Sequence, residues 1–375
     1  MPLAPVYKKS PLSIHSGTGT LIRDQSDIDY LDFYGGHGVI SLGHGHQGIR
    51  DALIKQYDQI PYYSNYVQNP VQEQLAAKLC ELSGYQNNYC FFVNSGSEAV
   101  ENALKISQLH TGRSKLVAMR NGFHGRTLHA AMVSDACPWK EMDRFKDIVT
   151  FIDPEDFDAA EAAINDDVSA VILEGVQGVG GVRVHSDRYL RHLRTLCDQS
   201  GAMLILDEIQ SGLGRSGTFF AHQSSGIKAD LITMAKGLGN GFPIGVVMYK
   251  QAISLPKGSL GSTFGGGHMA CVVALEVLAQ VDRLLKSGAI LNSAKHLSDG
   301  LNGSSLSLEV LGKGLMLGLK SGSRTSRLHQ ALLAQGVMTG TAAKGTEIRL
   351  LPPLTVSMSD LDLFLKKFNE AAKEL

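Results

Sequence analysis

The strongest constraint on this chain lies in its middle, where short unbroken apolar runs alternate with helical patterns. Ala170-Val171-Ile172-Leu173 and Leu204-Ile205-Leu206 show no alternation with polar residues, so strands built from them must be covered on both faces. Between them, Leu190, Leu193, Leu196 and Cys197 keep helical spacing within 186–200. Strand, helix and strand in succession is the pattern of an α/β unit with a largely parallel sheet. The same reading predicts strands over 90–94, 115–119, 168–174, 203–207, 231–234 and 244–249, and helices over 97–109 and 157–165.

The chain has 375 residues, 43% hydrophobic and 19% charged, which suits an ordered globular protein of about two domains. Lys and Arg total 35 against 36 Asp and Glu, a net charge of −1. Without a basic excess, neither nucleic acid nor a membrane surface is an expected partner. No run offers the ~20 apolar residues of a membrane span, and the first ten residues hold no apolar signal region. Cys80, Cys90, Cys137, Cys197 and Cys271 are scattered without a Cys-x-x-Cys pair. Neither a disulfide framework nor a zinc site is expected, and reduced thiols imply a cytoplasmic location. His44 and His46 lie two apart in a glycine-rich turn, and without a third ligand no metal is expected.

The ends read differently. Two short strands around a polar turn are predicted over 19–33, and a long helix over 269–285 follows the glycine-rich stretch 261–267. The expected division is an N-terminal arm with part of a small domain at 1–45, a large domain at 46–265, and a C-terminal small α+β domain at 266–375.

Gly212-Leu213-Gly214-Arg215-Ser216-Gly217 is a literal G-x-G-x-x-G after a strand. A dinucleotide site needs those glycines at the strand-to-helix turn, with an acid ~20 positions on. Here Asp207 precedes the loop, and the later acid, Asp230, opens the next strand instead of closing one. A glycine-rich surface loop is the better reading.

Three other features carry chemistry. Asn94-Ser95-Gly96-Ser97-Glu98 reads as a strand end, a tight turn and the start of an amphipathic helix, with Ser95 and Glu98 at capping-box spacing. The free N–H groups of Gly96 and Ser97 then sit at the positive end of the helix, suited to an anion. Asp207 ends an apolar strand, where an acid faces the crevice of an α/β sheet. Lys236 directly follows a strand among small and apolar neighbours, which lowers its pKa and frees its amine as a nucleophile. An anion-binding helix, a buried carboxylate and a strand-end lysine are the set pyridoxal phosphate needs, for its phosphate, its pyridinium nitrogen and its aldehyde.

With these residues in order, the sequence resembles the class III, ornithine-type aminotransferases among the fold type I pyridoxal-phosphate enzymes. The matching stretches run from Leu31-Asp32-Phe33-Tyr34-Gly35-Gly36 and Ser41–His46 through Asn94–Ala99 and Gly122–Thr127. They continue with Leu173–Gly178, Leu206–Arg215, Ala235–Pro243 and Gly261–Gly266, and end at Ile348–Pro353. The glycine-rich loop after Gln210 belongs to this pattern. The resemblance implies a large domain with a mostly parallel seven-stranded sheet beside a smaller α+β domain. It implies that a homodimer with shared sites moves the terminal amine of N-acetylornithine, or another N-acylornithine such as N-succinylornithine, to 2-oxoglutarate. The products are the N-acylglutamate semialdehyde and glutamate, in arginine biosynthesis. Another class III donor (ornithine, 4-aminobutyrate or a lysine-type amine) stays open, as does a pyridoxal-phosphate aminomutase.

Position by position, the resemblance implies that Lys236 bears the covalent link to pyridoxal 5′-phosphate and shuttles the proton. It places Asp207 on the pyridinium nitrogen and Gln210 on the phenolic oxygen. Phe123 and Ile209 enclose the ring, and Gly96, Ser97 and a partner subunit's Thr263 hold the phosphate. Arg126 and Arg349 become carboxylate clamps, whose fork matches a carboxylate bidentately, and Ser262 lies near the acylornithine. Glu174 is read as a support behind Asp207, His124 as structural, and Tyr63 with Ser64 and Asn65 near the site's mouth, with Trp139 there or in the core. The sequence departs from the pattern where Gln177-Gly178 is followed by Val179 instead of Glu, the acid that pairs with arginine at the Arg349 position. Gly267-His268 replaces a usual Asn-Pro.

Overall fold

The computed structural model describes residues 3–7, 9–10, 12–136, 145 and 147–375; Cys137 and Trp139 lie outside them. The chain opens with an antiparallel meander of β1 (Ile14–Thr18), β2 (Leu21–Asp24) and β3 (Asp29–Asp32). The last two match the strands predicted over 19–33. Strand β1 was not foreseen, because an almost wholly exposed strand shows no apolar alternation.

Four strands follow: β4 (Asn88–Val93), β5 (Lys115–Met119), β6 (Val149–Ile152) and β7 (Val168–Glu174). After a small hairpin of β8 (Val176–Gln177) and β9 (Arg183–Val184) come β10 (Met203–Asp207), β11 (Leu231–Met234) and β12 (Gly245–Lys250). Seven of these form one sheet in the order β4-β12-β11-β10-β7-β5-β6. Only β12 runs against its neighbours, so the mostly parallel seven-stranded sheet is as expected. Its seventh member, β6, escaped the sequence reading because four residues at a sheet edge carry little pattern.

The unbroken apolar runs have a direct cause. In β7, Ala170 and Ile172 pack on one face with Val100 and Leu104 of the helix Gly96–Thr111. Val171 and Leu173 pack on the other with Leu190 and Leu193 of the helix Asp187–Ser200. Truncating a fully buried residue such as Ile172 to Ala costs ~2–5 kcal/mol.

The C-terminal part holds β13 (Glu309–Lys313), β14 (Met316–Lys320), β15 (Val337–Met338), β16 (Gly340–Ala342) and β17 (Glu347–Leu350). Strands β13, β14, β17 and β16 form a second sheet, while β15 pairs in parallel with β3 and so ties the N-terminal arm to this part. Between the two sheets, Gly212–Gly217 is not at the surface but buried. Arg215 explains the difference: its N–H meets the carbonyl of Gly212, its carbonyl accepts from Leu315, and its guanidinium donates to the carbonyls of Leu315 and Pro352. The loop is a joint beneath the C-terminal strands. Among the described residues, no helix is long and apolar enough to cross a membrane.

Candidate active site

Strands β4, β7, β10 and β11 all end on one edge of the sheet, where α/β ligands bind. A cavity of about 420 Å³ lies there, lined by Ser95, Gly96, Ser97, Phe123, Arg126, Asp207, Ile209, Gln210 and Lys236 among others. Sequence reasoning named eight of these nine as site residues and Ser95 as the helix cap. The hydroxyl of Ser95 accepts from the N–H of Glu98 at 3.2 Å, while the Glu98 carboxylate returns to the N–H of Asn94. That cap leaves the first N–H groups of the helix Gly96–Thr111 turned toward the cavity. A Cβ on Gly96 would stand 2.9 Å from Ile209 Cδ1. Only glycine lets the helix start that close to the Ile209 side chain.

Asp207 is buried at the end of β10, level with Glu174 at the end of β7. One Asp207 oxygen accepts from the N–H of Ile209 at 3.0 Å, and the other pairs with His124 Nδ1 at 2.7 Å. His124 Nε2 is buried without a partner. No spacing rule connects residues 83 positions apart, so the sequence offered no signal for this contact. Glu174 accepts the N–H of Phe123 at 3.0 Å and that of Gly178 at 3.1 Å. Its burial, opposed by His124 and reinforced by Asp207, pushes its pKa up to about 7.

Lys236 is partly buried just past β11, in the left-handed region at φ 44°. Burial lowers its pKa from 10.5 to about 8; Asp207 and Glu174 oppose the shift and Arg349 adds to it. The amine expected to act as a nucleophile therefore sits where neutral amine is accessible near neutral pH.

Arg126 stands exposed at the cavity's mouth, its guanidinium carbon 5.6 Å from the centre of the Phe123 ring. Arg349 is different: it is only 2% exposed, does not line the cavity, and donates from Nη1 to the Gln210 amide oxygen at 3.0 Å. No acid lies within ion-pair distance of it among the described residues. The carboxylate lost at Val179 has no replacement; an amide stands in its place.

Ser262 and Thr263 are not brought to the Lys236 cavity. They line a second hollow of about 670 Å³ with Tyr62, Ser64 and Asn65. Ser262 still touches the first site, since its hydroxyl accepts from the Asn94 amide at 3.2 Å. Tyr63 is exposed beside this second hollow. His44 pairs with Asp32 at 2.8 Å.

A reactive amine, an oriented carboxylate and a helix N-terminus around one cavity make a site for an aromatic, phosphorylated aldehyde. Comparison with known proteins agrees. The family model described as aminotransferase class-III matches residues 3–372, and the chain belongs to that family. Among its relatives, the acetylornithine aminotransferase of Bacillus subtilis (strain 168) is 36% identical, covering 97% of this chain and 96% of that protein. That of Methanosarcina mazei is 33% identical over 97% of this chain and 93% of its own. Among solved structures, the ornithine aminotransferase from Toxoplasma gondii ME49 superposes with a TM-score of 0.90 at 27% identity, over all of this chain and 93% of that one. The N-acetylornithine aminotransferase from Stenotrophomonas maltophilia K279a gives 0.84 at 28%, over 98% and 97%. The residues present fit pyridoxal phosphate, the coenzyme of this family.

Proposed function

We propose that the chain moves the terminal amine of an N-acylornithine, acetyl or succinyl, to 2-oxoglutarate, giving the N-acylglutamate semialdehyde and glutamate as a step in arginine biosynthesis. The observation that carries this reading is the convergence of Lys236, Asp207 and the Gly96 helix on one cavity, in a chain that aligns end to end with acetylornithine aminotransferases.

Pyridoxal phosphate, when bound, supplies a ring that draws off the electrons left on the substrate carbon. Each residue around it has a task. Asp207, held by His124 and the Ile209 N–H, pairs with the ring nitrogen. Gly96 and Ser97 take the phosphate, joined by Thr263 from a second copy. Phe123 and Ile209 enclose the ring, and Gln210 serves its phenolic oxygen. Lys236 would hold the coenzyme through Nζ and, as the one amine beside it in the cavity lining, would move the proton at the substrate carbon. Arg126 and Arg349 receive substrate carboxylates, and Ser262 lies toward the acyl group. The working unit is a cytoplasmic homodimer; its sites are shared because Thr263 lies away from the Lys236 cavity of its own chain.

The test is a donor panel of N-acetylornithine, N-succinylornithine, ornithine and 4-aminobutyrate with 2-oxoglutarate, following glutamate. One of the two acylated donors should lead in kcat/KM by at least about tenfold, near the share one well-placed contact contributes. Ornithine or 4-aminobutyrate in the lead would overturn the assignment.

A further inference from the structure

The amide of Gln210 is held from two sides at the edge of the cavity. Its oxygen accepts from Arg349, its nitrogen donates to the carbonyl of His37 at 2.9 Å, and it borders the cavity beside Lys236. One N–H of that amide remains free for a ligand. Arg349 is held in reserve behind it. In its ladder Arg349 stands opposite Gly318 and Gly340, and its buried Nε has no partner. The buried guanidinium faces only neutral groups, the Gln210 amide and the Tyr34 ring, whose centre is 5.9 Å from its carbon, and so is poorly compensated. A carboxylate reaching it would bring the opposite charge and a second acceptor oxygen, so it could take the guanidinium bidentately where the amide oxygen offers a single bond.

A carboxylate at Arg349 therefore competes with Gln210 for the same guanidinium. When it wins, the Gln210 oxygen loses its cationic partner, and the polarisation that strengthened the amide's own N–H bonds falls away. We propose that Gln210 relays the arrival of a substrate carboxylate at Arg349 to the phenolic oxygen of the coenzyme ring. The relay makes the electronic state of the ring depend on whether a carboxylate-bearing substrate is seated. It rests on the reading above that Gln210 serves that oxygen. The arrangement is particular to a chain in which Val179 leaves Arg349 without an acid.

The experiment uses the holoenzyme and glutarate, a five-carbon dicarboxylate with neither amine nor oxo group to react. The visible band of the bound coenzyme is titrated with pH, with and without saturating glutarate. In the unaltered protein the midpoint should move by about half a pH unit or more, a threefold change in proton affinity. Gln210→Ala, which removes the competing amide, should bind glutarate at least as tightly as the unaltered protein, yet show the same midpoint with and without it. Gln210→Glu, which gives Arg349 a permanent carboxylate, should keep the coenzyme but weaken glutarate at least about tenfold. A full midpoint shift surviving in Gln210→Ala would mean that Arg349 acts through space, and the relay would be wrong. So would tight glutarate binding to the unaltered protein with no shift. A protein that stays colourless with added pyridoxal phosphate fails earlier, at the coenzyme reading itself, and takes the relay with it.

Discussion

His124 Nδ1 meets Asp207 Oδ2 at 2.7 Å, and both side chains are buried. Because His124 Nε2 has no partner, Nδ1 is the ring nitrogen that makes the hydrogen bond to the carboxylate. With the Ile209 N–H on the other oxygen, Asp207 is fixed in orientation. Removing the imidazole removes a hydrogen bond to a charged group, worth ~1.5–3 kcal/mol. His124→Leu should therefore loosen pyridoxal phosphate by about tenfold or more, while His124→Asn, which keeps a donor near Nδ1, should lose much less. Fluorescence titration of the coenzyme-free protein measures both, and equal affinity in the Leu variant would detach His124 from coenzyme binding.

That contact marks the limit of what the sequence shows. Strand ends were legible because hydrophobicity changes there: Asp207 and Glu174 each close a run buried on both faces. The cap at Ser95 was legible because it is local. The pairing of Arg349 with Gln210, 139 positions apart, was not, because it depends on how β17 is laid against the loop after β10. The buried loop at Arg215 misled for the same reason. Six glycine, leucine, arginine and serine residues look like a surface turn until the strands that cover them are in place.

Lys236 has a pH signature that needs no coenzyme. Its native pKa of about 8 lies below its ordinary 10.5, with burial the leading cause. Between those values the unfolded chain holds a proton that the native one lacks, so stability rises with pH from 8 to 10.5. Below pH 8 the penalty is at its full size, at most ~3 kcal/mol. Coenzyme-free Lys236→Met should unfold at higher denaturant than the unaltered protein at pH 7, and the gap should close by pH 10. A gap that is constant over this range would show that the amine is not held neutral.

Gly96→Ala tests the closeness of the helix start to Ile209. The added methyl would stand 2.9 Å from Ile209 Cδ1, the end of a movable side chain, so the chain should fold. The cost falls on the cavity, where Ile209 must swing into the ring's space. Overpacking of this kind costs ~1–3 kcal/mol, read as a coenzyme Kd higher by about fivefold or more. An unchanged Kd would place Ile209 away from the ring.

Arg126 is exposed and lends little to folding, so its loss can be read in kinetics alone. If a seated substrate buries the charged pair it makes with Arg126, Arg126→Ala should raise KM for carboxylate substrates by about thirtyfold, the equivalent of the ~2 kcal/mol lost when one partner of such a pair is removed. Thermal unfolding should stay where it was. Unchanged KM for both the donor and 2-oxoglutarate would remove Arg126 from the clamp.

Thr263 decides whether the sites are shared. It lines a hollow flanked by exposed Phe264, Tyr63 and Tyr66, apolar surface of the kind a second copy covers. A Thr263→Glu subunit would set a carboxylate against the phosphate of its partner's coenzyme, and a Lys236→Ala subunit lacks the amine. Each homodimer should be inactive. In a mixture of equal parts, exchanged at random, half the dimers pair one subunit of each kind. In those, one of the two sites combines an intact Lys236 with an intact Thr263 across the twofold axis, so about a quarter of the unaltered activity should return. If Thr263 serves its own chain, every site carries one lesion or the other and no mixture regains activity. Sedimentation of Phe264→Asp, expected to shift from dimer toward monomer, reports on the same face independently.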